Sequence, residues 1–258
     1  MEHIIKDNTI SGAWSQMFNI VMNNSGKELS PILITLHDIN PEESEIGDLV
    51  SIKLNEIYRK KGLNNINTVA NTIFPLSLYK LARYDRGSFF SNYLSLVPRM
   101  KAIDTRNKNG IYFERLIDFD GTRNINQLEF IIREFTGRAG VRRSLLQASV
   151  FDPRRDHTRQ AQVSFPCLQH VSFTYQGSKL YVNAFYATQQ LFDKAYGNLL
   201  GLVRLGNFMG REMDLTLAGV NCYVGVEKLE RITKSDADII SLLKITTQYL
   251  EYAENDDV

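Results

Sequence analysis

The chain has 258 residues, with 30 basic against 29 acidic side chains, a net charge of +1 and 43% hydrophobic residues. That length supports one sizeable α/β domain with its own core, and the balanced charge supplies no general field for a nucleic acid or an anionic membrane surface. No apolar run approaches the roughly 20 residues of a membrane span, and the start MEHIIKDNTISG lacks the basic flank and apolar stretch of a secretory leader, so a cytoplasmic protein without a membrane partner is expected.

Cys167 and Cys222 cannot make a disulfide framework, and His3, His37, His157 and His170 are too scattered for metal-ligand spacing, so no metal is expected. Ser11 to Met22 carries Trp14, Met17, Phe18 and Val21 at the spacing of a buried helical stripe, and Asn23-Asn24-Ser25-Gly26 ends it. Pro31 to Leu36 (PILITL) reads as a short buried strand. An acid-rich turn from Asp38 to Glu45 leads into a helix with Ile46, Leu49, Val50, Ile52, Leu54 and Ile57, closed by Lys60-Lys61-Gly62. Between Leu76 and Arg106 aromatic and basic residues interleave, a mixture that fits base stacking with phosphate contacts. Because these aromatics recur near helical spacing in a chain of balanced charge, a core with a solvated face is expected instead, and no nucleic-acid partner.

Asn124 is expected to cap a helix carrying Leu128, Ile131, Ile132 and Phe135 that stops between Gly137 and Gly140. Ser144 to Phe151 is strand-like, and the polar loop DPRRDHTRQ follows. Two strands, Val163 to Tyr175 and Lys179 to Tyr186, flank Gln176-Gly177-Ser178, a connection with the glycine that a tight hairpin favours. Alternation of Val171, Phe173 and Tyr175 with Ser172 and Thr174 puts one face in the core. A long helix is expected over Gln190 to Met213, where Gly197, Gly201, Gly206 and Gly210 would each cost up to about 1 kcal/mol relative to alanine if exposed, which points to close packing. Leu215 to Leu229 reads as extended and Ser235 to Tyr252 as a closing helix, with residues 254–258 a frayed acidic tail. No repeat or low-complexity stretch divides the chain, so residues 1–258 read as one domain.

From the middle of the chain onward the order of residues becomes specific. Gly140-Val141-Arg142-Arg143, Phe151-Asp152-Pro153, Phe165-Pro166-Cys167, a hairpin, Gly197-Asn198 and Asn221-Cys222-Tyr223 follow one another as in the C-terminal half of thymidylate synthase, and the chain resembles that family over roughly residues 110 to 230. The stretch from Pro166 to Asn198 matches the family's spacing without gaps, and Asn126-Gln127-Leu128 stands where the family carries Asp-Gln-Leu. The resemblance implies an α/β (α+β) three-layer fold with a mixed sheet flanked by helices. It also implies a pyrimidine nucleotide or nucleoside as ligand, and a homodimer whose pocket is shared across the interface.

In that family a cysteine thiolate adds to pyrimidine C6 and turns C5 into a nucleophile; Cys167 is the matching thiol. Arg142 and Arg143 match paired arginines that reach the nucleotide phosphate of the other subunit, a task suited to guanidinium forks. Asn198 matches the asparagine that reads the O4 and N3–H edge of uracil, because its amide both donates and accepts; cytosine presents the reverse pattern. Tyr223 falls where a tyrosine bonds the sugar hydroxyl, and Thr188 where a serine binds phosphate.

Other positions depart from the pattern. Ala187 stands where the family has an arginine that contacts phosphate and sulfur, which removes a source of thiolate stabilisation. The resemblance implies methylenetetrahydrofolate as one-carbon donor, yet Gln190 replaces the aspartate that holds folate, and Asn221 replaces the histidine partner of the sugar-binding tyrosine. Around Asn71-Thr72-Ile73-Phe74-Pro75 no acid stands in for the glutamate that organises proton transfer, a loss that costs typically 10²–10⁴-fold in rate. His170, three residues beyond Cys167 on a strand, falls on the opposite face, while His157, Arg154, Arg155 and Arg159 of the polar loop are candidates for replacement positive charge. Two functions follow: C5 methylation or hydroxymethylation of a uracil-type nucleotide through Cys167, or an inactive relative that senses a nucleotide or serves as a scaffold.

Overall fold

The computed structural model describes residues 3–39, 47–137, 140–157, 159 and 166–256. Phe165, the residues expected to open the strand before Pro166, the acid-rich turn beyond residue 39 and residues 257–258 lie outside them. The first strand, β1 (His3–Asp7), leads into α1 (Ile10–Asn23), which starts where the Thr9 hydroxyl accepts the Gly12 N–H at 2.9 Å and which buries Trp14, Met17, Phe18 and Val21. The expected strand is present as β3 (Ile32–His37), after the two-residue β2 (Glu28–Leu29). The expected second helix is α2 (Leu49–Lys60), capped by Asp48.

The stretch that resists periodic reading is a run of helices, one long and three short: α3 (Ile66–Ala70), α4 (Leu76–Leu81), α5 (Arg86–Ile103) and α6 (Tyr112–Ile117). Its aromatics are interior: Phe74, Tyr79, Phe89, Phe90 and Tyr93 are buried with Phe113 and Phe208 in one cluster, Phe74 and Phe208 having centroids 5.0 Å apart. Helix α7 (Gln127–Thr136) is capped by Asn126, whose Oδ1 accepts the Glu129 N–H at 2.9 Å, and not by Asn124, which donates to the Thr122 hydroxyl. The extended run expected from Ser144 is a strand only over β4 (Gln147–Ser149), because Arg143–Leu145 closes a 3-10 turn with the Leu145 N–H on the Arg142 carbonyl at 2.9 Å. Within the polar loop, Pro153–Asp156 forms a short helix, α8.

The hairpin is β5 (Leu168–Gln176) and β6 (Lys179–Gln190), with Gln176 paired to Lys179 and Gly177 at φ 59° in the turn. A wide π-type turn, Leu191–Ala195, runs directly into α9 (Tyr196–Glu212). A Cβ at Gly197 would lie 2.5 Å from Val69, and one at Gly201 2.8 Å from Ile73, so these glycines let α9 press against α3 and its exit. Strand β7 (Thr216–Lys228) and helix α10 (Ala237–Asp256) complete the chain.

The strands form one mixed seven-stranded sheet in the order β1-β3-β7-β6-β5-β4, with β2 beside β7. Pairs β1·β3 and β6·β7 are parallel and the others antiparallel. Helices α1 and α9 pack on one face of it, and α2, α3 and α10 pack outside them, giving three layers. Among the described residues the other face is uncovered. Across it Ile4, Leu33, Tyr223 and Phe185 follow one another in register, 59%, 38%, 42% and 42% exposed, with the Tyr223 and Phe185 rings stacked at 5.5 Å. Among the described residues no helix is long and apolar enough to cross a membrane.

Candidate active site

Cys167 stands directly before β5, where its carbonyl accepts the Ala187 N–H at 3.1 Å and ties it to β6. Its sulfur lies 3.7 Å from the Thr188 hydroxyl. The Tyr112 hydroxyl, from the first residue of α6, also hydrogen-bonds to the sulfur and to the adjoining backbone. Burial pushes the thiol above its ordinary value; the Thr188 and Tyr112 hydroxyls pull it down, Glu230 adds a further upward push, and Lys194 opposes it. Burial likewise holds the Tyr112 phenol well above its ordinary range. The thiol is therefore a guarded nucleophile.

Lys194 lies in the π-type turn, four residues before Asn198, and makes no salt bridge among the described residues. Burial lowers its ammonium, Asp193 partly offsetting this, and burial raises the Asp193 carboxyl. Asn198 is buried on the first turn of α9. Behind the thiol is a set of stranded polar groups. Gln189 and Glu227 are register partners on β6 and β7, 2% and 0% exposed, and among the described residues neither the amide nor either carboxylate oxygen finds a hydrogen-bond partner. The Tyr186 hydroxyl, buried near Tyr112, Cys167 and Glu227, has none either. Burial raises Glu227 well above the usual carboxylate range, which favours its neutral form.

Of the residues singled out in the sequence, Cys167 and Thr188 meet, and Asn198 lies one turn past Lys194. The arginines do not join them within one chain. Arg143 stacks over Tyr175 at 5.5 Å, eight residues along β5 and so about 27 Å from Cys167 by strand rise, with Arg142 beside it on the surface. Tyr223 lies on the uncovered sheet face, as does Asn221, whose amide donates to Asn183 at 3.0 Å. His170 hydrogen-bonds to Gln147 at 2.7 Å. His157 packs its ring on Phe151, and Arg155 donates to Asp152 at 2.9 Å.

Gln190 donates its amide to Glu230 at 3.0 Å, so a neutral side chain already engaged stands where a folate-holding carboxylate is implied. Gln190 thus offers a folate no carboxylate at that position. Sequence reading missed Tyr112, Lys194, Gln189 and Glu227. Nothing local marks Tyr112 among the chain's many aromatics, and Glu227 ends a strand that otherwise reads as ordinary.

No known family model matches the chain. It is similar to a Methanocaldococcus jannaschii protein described as "Putative thymidylate synthase", 28% identical over 107 residues that make up 40% of this chain and 47% of that protein. The match therefore spans about half the length of that relative. The resemblance in the ordered motifs and this similarity point the same way, to a thymidylate synthase-like chain.

Proposed function

We propose that the chain binds a pyrimidine nucleotide of the uracil type at Cys167 and activates its C5. The observation that carries this is the cysteine: it follows Pro166 at the edge of β5, with two hydroxyls, from Thr188 and Tyr112, at its sulfur. In the activating step the Cys167 thiol gives its proton to water, the sulfur bonds to C6, the C5–C6 π electrons move to O4, and C5 becomes nucleophilic as part of an enolate. Tyr112 donates to the thiolate and holds it for attack, and the Asn198 amide reads O4 and N3–H. Protonation of C5 by water, loss of the original C5 proton and expulsion of the sulfur return the pyrimidine with its C5 hydrogen exchanged. That cycle balances without a one-carbon donor, and its enolate is the species that methylation or hydroxymethylation at C5 uses.

The proposal includes a homodimer. Arg142 and Arg143 are too far from their own Cys167 to serve its ligand, and the uncovered sheet face carries the apolar row from Ile4 to Phe185. A second copy on that face buries the row, and it brings in arginines for the phosphate contact that Ala187 does not supply.

Binding without turnover is the second reading, favoured by the thiol's upward displacement with alanine at position 187. Tritium release from C5-labelled dUMP, UMP, dCMP and CMP, compared between the wild type and Cys167→Ala, separates the two. Release from a uracil nucleotide that disappears in the variant supports C5 activation. Calorimetric binding of dUMP without release supports the second reading, and neither binding nor release removes both.

A further inference from the structure

A cleft of about 510 Å³ opens beside α6, within the range of small-molecule sites, about 300–1,000 Å³. Tyr112 leaves α6 toward the Cys167 sulfur, whereas Glu114, which lines the cleft together with Asp118, stands roughly 200° around the helix from Tyr112. The cleft and the thiol are therefore on opposite sides of α6, and the cleft is no part of the site already described.

Its lining is unevenly charged: four cations, Lys101, Lys108, Arg123 and Arg155, against the two acids. Both acids are engaged. Glu114 accepts from Lys101 Nζ at 2.6 Å and from the Ile111 N–H at 3.2 Å, and Asp118 accepts the Arg123 N–H at 2.6 Å. Arg155 is held by Asp152. The side chains of Lys108 and Arg123 are left without an ion pair among the described residues. Arg123 also sits at φ 64°, a left-handed conformation that a side chain keeps only where its surroundings impose it, and such positions cluster at ligand sites.

The opposite wall is apolar, made by Leu94, Val97 and Pro98 of α5. Pro98 is inside that helix and has no N–H to give the Leu94 carbonyl one turn earlier, so this carbonyl lacks its helical donor. An apolar wall with one acceptor, facing two unpaired cations, suits a flat ring bearing an amino group and joined to a phosphate. Guanidinium and ammonium groups bind phosphate oxygens through charge-assisted hydrogen bonds.

The geometry points to a second binding site, for a nucleoside monophosphate whose base carries an exocyclic amino group, with phosphate between Lys108 and Arg123 and base on Leu94, Val97 and Pro98. Isothermal titration with AMP, UMP, adenosine and inorganic phosphate tests it, using the wild type, the Lys108→Ala/Arg123→Ala double variant, and protein carbamidomethylated at Cys167. AMP is expected to bind at least about tenfold tighter than UMP, adenosine or phosphate, and about tenfold or more weaker in the double variant. It should bind unchanged when Cys167 is blocked, and more weakly as salt is raised. The inference is overturned if AMP does not bind at millimolar concentration, if its binding survives the double variant, or if blocking Cys167 abolishes it.

Discussion

Glu227 stands in β7 with its carboxyl wholly buried and both oxygens without a partner. Ionising there would strand a charge that no cation answers, so burial raises the group well above its ordinary 4.5. In the unfolded chain the same carboxyl loses its proton near the ordinary value. Between the two values the native state binds one proton more than the unfolded state, and stability therefore falls as pH rises, by about 1.4 kcal/mol for each pH unit. Glu227→Gln keeps the shape and the polar atoms but has no proton to lose. The variant should therefore gain on the wild type as pH rises from about 5 toward 7, by up to about 1.4 kcal/mol per pH unit for as long as native Glu227 keeps its proton. Urea unfolding followed by circular dichroism at several pH values in that range measures both proteins. Parallel pH profiles would refute the reasoning, because they would mean that native Glu227 ionises as easily as in the unfolded chain.

Tyr112→Phe removes a hydrogen bond to the Cys167 thiolate; such bonds to charged groups are worth about 1.5–3 kcal/mol, so iodoacetamide should alkylate Cys167 about 10- to 100-fold more slowly at fixed pH. Mass spectrometry reads this against Cys222, which is fully buried, and an unchanged rate would separate Tyr112 from the sulfur's chemistry. Asp156→Ala leaves Arg115 as an unanswered charge at a site where the two side chains are 1% and 2% exposed, which costs about 3–5 kcal/mol and should lower Tm by about 10 °C in calorimetry. A loss too small to measure would show that water reaches the guanidinium. Phe185→Lys puts a charge at the end of the apolar row on the open sheet face, and sedimentation is expected to report a monomer for the variant and the proposed dimer for the wild type. A wild type that sediments as a monomer would rule out the proposed interface.

Local patterns were enough wherever one element carries its own periodicity and punctuation. Trp14, Met17, Phe18 and Val21 mark α1, and Gly177 marks the β5–β6 turn. The glycines of α9 announce close packing, and the structure shows what they pack against: Val69 and Ile73, side chains more than a hundred residues earlier. From residue 65 to 120 this reading fails for a physical reason. Three of its helices, α3, α4 and α6, have five or six residues and are too short to show a period, and Pro75 and the left-handed Arg83 and Tyr84 break the run before α5.

The order of residues was enough, from the sequence alone, to set the relative places of Cys167, Thr188 and Asn198, because the run from Pro166 to Asn198 lays them out on a hairpin and a helix. Tertiary structure alone decided what surrounds the sulfur. Tyr112 comes from a helix 55 residues earlier, and Glu227 faces Gln189 only through the parallel register of β6 and β7. Tertiary structure also set Arg142 and Arg143 far from their own cysteine. Hydrogen bonds along the chain declare themselves in spacing, whereas contacts between distant strands, and the burial that moves an acid or a thiol, follow from how whole layers pack.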